Sequence, residues 1–73
     1  MVIVVTLKKP EWIHRYEDVK SFEVIPKEYI KDEVDEASLA EMDKYLFRMH
    51  FNDGEQATFN VNPDFSYKVL FYN

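Results

Sequence analysis

Tyr45-Leu46-Phe47-Arg48-Met49-His50-Phe51-Asn52-Asp53-Gly54-Glu55-Gln56-Ala57-Thr58-Phe59-Asn60-Val61 is the stretch whose reading decides the fold. Tyr45, Phe47, Met49 and Phe51 alternate with Leu46, Arg48 and His50, and beyond Asn52-Asp53-Gly54 the alternation resumes with Ala57, Phe59 and Val61. Period-two patterning on both sides of a turn-forming triplet specifies a β-hairpin.

Parity selects the turn, because residues paired across an antiparallel ladder project from the same face. A two-residue Asp53-Gly54 loop would pair Phe51 with Gln56 and Met49 with Thr58, mixing apolar and polar side chains on both faces. A three-residue loop, with Gly54 left-handed, pairs Phe51 with Glu55, Met49 with Ala57, Phe47 with Phe59 and Tyr45 with Val61. That register gathers the apolar side chains on one face. It leaves Leu46, Arg48 and His50 opposite Asn60, Thr58 and Gln56 on a face expected to meet water.

Working outward, Val2 to Leu7 is apolar on both parities and reads as a central strand covered on both sides. Pro10 ends it, and Trp12 to Tyr16 can begin a further extended run before Glu17-Asp18. Lys20 to Ile25 alternates again and Pro26 stops it. Ser38-Leu39-Ala40-Glu41 has the form of a capping box, so a short helix is expected near Asp35 to Asp43, with Leu39 and Met42 as its apolar contacts. The segment around Tyr29 to Lys31 is expected to be irregular or briefly extended. Asn62-Pro63-Asp64 reads as a turn, and Tyr67 to Tyr72 as a last strand with apolar residues on both faces.

The whole reads as one small α+β domain over residues 1–73. It has about five antiparallel strands in a curved sheet or small open barrel, with one short acidic helix before the hairpin. A chain of 73 residues has a small core, and it has no cysteine for disulfide or thiolate staples. Its apolar mass is aromatic instead: Trp12, five tyrosines and six phenylalanines. The lack of cysteine fits a reducing compartment. The apolar start is also too short for an export or membrane segment and has its lysines on the wrong side, so a cytoplasmic protein with no membrane association is expected.

The formal charge is −5, and seven carboxylates lie between Pro26 and Lys44 against three lysines. Such a segment repels phosphate backbones, which argues against direct nucleic-acid binding.

Tyr16-Glu17-Asp18-Val19-Lys20-Ser21-Phe22-Glu23-Val24, followed by Phe51-Asn52-Asp53-Gly54 and Phe59, resembles small uncharacterised β-rich proteins of Gram-positive bacteria and their prophages. The resemblance covers the middle three strands and is carried by a strand-and-turn pattern. It implies an accessory protein of a bacterium or mobile element and assigns a role to no residue.

Candidate chemistry is sparse. His14 and His50 have no second histidine or cysteine at zinc-site spacing, and His50 falls on the polar face of the hairpin. Asp32 to Glu36 lacks the glycine of a calcium loop, so neither metal nor cofactor is expected. Ser21, Ser38 and Ser66 fit strand, cap and turn roles, and no nucleophile motif or glycine-rich loop accompanies them, so the chain reads as non-enzymatic. The hairpin aromatics lie on the face that becomes core, which removes a base-stacking platform.

Two functional expectations follow. The leading one is a protein-interaction module whose C-terminal strand, through Lys68, Leu70 and Tyr72, pairs with another protein or with a second copy in a homodimer. The alternative is an acidic inhibitor that imitates nucleic acid through Asp32, Glu33, Asp35 and Glu36 and occupies the groove of a DNA- or RNA-binding enzyme.

Overall fold

The structure is a computed structural model that describes residues 1–71. In chain order it contains β1 (Val2–Lys8), β2 (Glu11–Tyr16), β3 (Val19–Pro26), a 3-10 turn (Lys27–Ile30), α1 (Glu36–Glu41), β4 (Tyr45–Phe51), β5 (Gln56–Asn60) and β6 (Phe65–Phe71). All pairings are antiparallel, and the strands form two three-stranded sheets, ordered β2-β1-β6 and β3-β4-β5.

The strand count and layering differ from the expected five or so strands in one curved sheet or open barrel. Trp12 to Tyr16 forms a full strand against β1, with Leu7 paired to Trp12 and Ile3 to Tyr16. Glu17 and Asp18 then carry the chain from one sheet into the other. Packing explains the split. Ile3 and Val5 of the first sheet and Val19, Phe47 and Met49 of the second are fully buried against one another, as two apolar sheet faces stacked on a common core require.

The hairpin follows the register that parity selects. Phe47 faces Phe59 and Met49 faces Ala57. The Phe51 amide donates to the Glu55 carbonyl at 2.9 Å and the Val61 amide to the Tyr45 carbonyl at 3.0 Å, which fixes the ladder at both ends. Gly54 has φ +90°, the left-handed conformation that the three-residue loop demands. Across the sheets the aromatic rings interlock: Phe47 stacks on Tyr67 with centroids 4.4 Å apart, and Phe59 meets Trp12, Tyr16 and Phe65.

Two faces depart from expectation. The second face of β4 is not uniformly wet, because Leu46 is buried beside Ile25 and Ile30, with Val34, Leu39 and Met42 packed over them. The 3-10 turn and α1 thus form a lid on half of the second sheet. The opposite discrepancy occurs in β1. Only its Ile3 and Val5 parity enters the core, while Val2, Val4 and Thr6 stay half-buried on the outer face of their sheet.

α1 lies where the sequence places it, but its cap is Asp35 rather than Ser38. The Asp35 carboxylate accepts the Ser38 amide at 2.8 Å, so Ser38 occupies the third helical position. Tyr29 sits in the 3-10 turn rather than in an extended segment. From that turn Lys27 extends its Nζ to the Leu39 and Met42 carbonyls at 3.1 and 3.4 Å. A cation therefore lies at the negative end of α1 and ties lid to sheet.

Candidate interaction site

Two of the residues expected to bind a partner, Lys68 and Leu70, lie on β6, which pairs with β1 on one side and with no described strand on the other. Lys68 is exposed and stands opposite Val4, and Leu70 is exposed at 37%. Tyr72 lies outside the described residues. The ladder between β1 and β6 is regular from Leu7/Phe65 to Ile3/Val69 and then shifts, with Val2 facing Phe71, so Leu70 occupies a bulge.

The core-facing parity of β6 is Phe65, Tyr67 and Val69. Tyr67 nevertheless remains 41% exposed, although it contacts Phe47, Phe22 and Phe65. Val24 of β3 pairs with fully buried Phe47, yet is itself 50% exposed. The core is therefore open along the side where β6 and β3 form the sheet edges. Phe71, more than half exposed, pairs with Val2 beyond the bulge and so stands on the outer face of the first sheet. Exposure at Val24, Tyr67 and Phe71 is not legible in the sequence, because alternation marks which parity faces inward and not where a sheet stops.

Asp32, Glu33, Asp35 and Glu36 are all exposed; among them Glu33 accepts a hydrogen bond from Arg48 at 3.1 Å and Asp35 caps α1. The Ser38 hydrogen bond holds the Asp35 carboxyl below the usual aspartate range. Between lid and sheet lies a cleft of about 320 Å³, lined by Val34, Met42 and Leu46 and by the Arg48–Glu33 pair.

His50 reaches Glu23 at 2.7 Å on the outer face of the second sheet, near Gln56. His14 stands between Trp12 and Tyr16 in a row of rings on β2, at centroid distances of 5.8 and 4.5 Å. Partial burial in that row raises the Tyr16 phenol above its ordinary pKa. Among the described residues no three histidine, cysteine or carboxylate side chains are grouped to hold a metal ion, and no helix is long and apolar enough to cross a membrane.

Comparison with known protein families, curated proteins and solved structures gives no match for this chain.

Proposed function

We propose that this protein is a non-enzymatic interaction module that accepts a strand of a partner protein along β6, in a cytoplasmic setting. The observation that carries the reading is the apolar open edge: β6 pairs with no described strand on one side and exposes Tyr67, Leu70 and Phe71 with Lys68 as the only charge of the strand. Edge strands are usually blunted by charges, and one left apolar is a template for strand addition. Backbone hydrogen bonds would supply affinity, and the exposed Val24 and Tyr67 would offer apolar contacts for alternate partner side chains.

The acidic-mimic reading draws less support, since Glu33 and Asp35 already serve the lid and the helix cap. A paired capture experiment separates the two. Wild-type protein and the Leu70→Asp variant serve as baits in lysate, with and without added DNA, and bound proteins are identified by mass spectrometry. A partner lost with Leu70→Asp and indifferent to DNA supports strand addition. A partner that DNA displaces, and that is lost on reversing the charges of Asp32, Glu33, Asp35 and Glu36, overturns it in favour of mimicry.

A further inference from the structure

A second open edge points to a different partner. Among the described strands β2 pairs only with β1, and its ladder runs without a shift from Ile3/Tyr16 to Lys8/Glu11. Trp12, His14 and Tyr16 form the inward row of rings, so Glu11, Ile13 and Arg15 share the outer face. Ile13 is 68% exposed, the most exposed aliphatic side chain among the large apolar residues of the described chain.

We infer that β2 is a homodimer interface in which two copies pair antiparallel about a two-fold axis through Ile13. Such a pairing must place a residue opposite itself, because only residues of the same ladder parity turn their backbone groups to the same edge. That leaves few registers, and ladder length and charge distinguish them. With Trp12 on the axis, only Glu11, Trp12 and Ile13 remain paired, because Arg15 would fall opposite the β1–β2 turn of the second copy. With His14 there, Glu11 meets the second copy's Glu17. With Arg15 there, two guanidinium groups face each other. Like charges directly opposite destabilise a ladder.

With Ile13 on the axis every charge meets its opposite. Glu11 faces the second copy's Arg15 and Arg15 the second copy's Glu11. The two isoleucines meet at the centre and cover each other, while Trp12 comes opposite the second copy's His14 on the inward face. Arg15 already lies 3.0 Å from Glu17 in its own chain, so its guanidinium is held on the face the interface uses. The first sheet would then run continuously through six strands, leaving both β6 edges free. This inference does not depend on the role of β6.

Charge exchange tests it in the full-length protein. Glu11 and Arg15 are exposed, and their replacement leaves the core untouched. By sedimentation equilibrium the wild type is expected to dimerise with rising concentration. Glu11→Arg alone and Arg15→Glu alone, each folded by circular dichroism, are expected to be monomeric at concentrations where the wild type is dimeric. An equimolar mixture of the two is expected to recover the dimer, because one chain then presents two arginines to two glutamates. The chain has no cysteine, so Ile13→Cys should form a disulfide dimer under mild oxidation. A monomeric wild type at millimolar concentration overturns the interface. Dimers that persist in both single variants, or an Ile13→Cys protein that does not cross-link, overturn the register.

Discussion

Arg48 of β4 and Glu33 of the segment before α1 meet at 3.1 Å, and the same guanidinium donates from Nε to the Thr58 hydroxyl at 3.0 Å on β5. One side chain therefore links both strands of the hairpin to the lid. The two partners are unequal, since the Arg48 side chain is 11% exposed and that of Glu33 is 54% exposed. Solvent screens the carboxylate, so the ion pair itself contributes little. In a double-mutant cycle of Arg48→Met and Glu33→Gln, read by urea denaturation, the coupling is expected below about 1 kcal/mol. Arg48→Ala is expected to cost more than Glu33→Gln, because it also removes a buried aliphatic stem and the Thr58 bond. A coupling of several kcal/mol would contradict this division.

Leu46 tests whether the lid belongs to the folded core. It is 2% exposed against Ile25 and Ile30, so Leu46→Ala is expected to destabilise by about 2–5 kcal/mol, like other buried large-to-small changes. Hydrogen exchange of the Glu33 and Met42 amides, which donate to Ile30 and Leu39, should accelerate more than that of the Phe51 amide in the hairpin. Were Leu46 the surface residue that alternation alone implies, the substitution would change stability by no more than about 0.5 kcal/mol.

Gly54 isolates a purely conformational cost. A Cβ at this position would meet nothing within 4 Å, so only its φ of +90° opposes a side chain. Gly54→Ala is expected to destabilise by about 1–2 kcal/mol, the penalty of left-handed backbone for an L-residue. A D-alanine placed there by chemical synthesis should be neutral or stabilising. Equal losses for the two enantiomers would show that the loop opposes side chains for some other reason.

These residues also mark how far the sequence is legible. The β4–β5 register follows from parity because the alternating apolar side chains, Leu46 apart, must share a face, and only one loop length achieves that. Leu46 misleads because its same-face neighbours in the hairpin, Arg48 and Asn60, are polar and most of its cover comes from residues 30–42, whose helical spacing is weak. Lys27 is unread for a similar reason: a helix C-terminal partner twelve residues away in sequence leaves no local signature. At the interaction surface, Lys68 and Leu70 can be assigned to the last strand from alternation, whereas its edge position depends on sheet order, which local patterning does not encode. Ile13 is visible only once Trp12, His14 and Tyr16 are known to face inward.

Leu70 separates a surface role from a core role. It sits in the β6 bulge with more than a third of its surface exposed and is absent from both buried clusters. Leu70→Asp is expected to shift stability by no more than about 0.5 kcal/mol, as surface changes do, with an unchanged denaturant slope. Phe47→Leu, at a fully buried position, supplies the contrast and should lower stability by at least about 1 kcal/mol. If Leu70→Asp unfolds the protein, the outer face of β6 is interior in some form of the molecule and strand addition there is wrong.

Asp35 gives the fold a local acid response whose sign can be worked out. Hydrogen bonding from Ser38, by its side chain first and then by its amide at 2.8 Å, lowers the folded-state pKa below the ordinary aspartate value. A depressed folded pKa means that the unfolded chain binds the proton more tightly. The cap's contribution is therefore complete above the ordinary value of about 3.9 and is lost as pH falls through the lower folded value. The Ser38 amide shift in NMR should report this titration, with a midpoint below that of an aspartate in a disordered peptide. Asp35→Asn keeps an acceptor at the cap but carries no titrating proton, so the acid-dependent movement of Ser38 should vanish while α1 persists. A wild-type midpoint at or above the peptide value would mean that Asp35 does not cap α1 in solution.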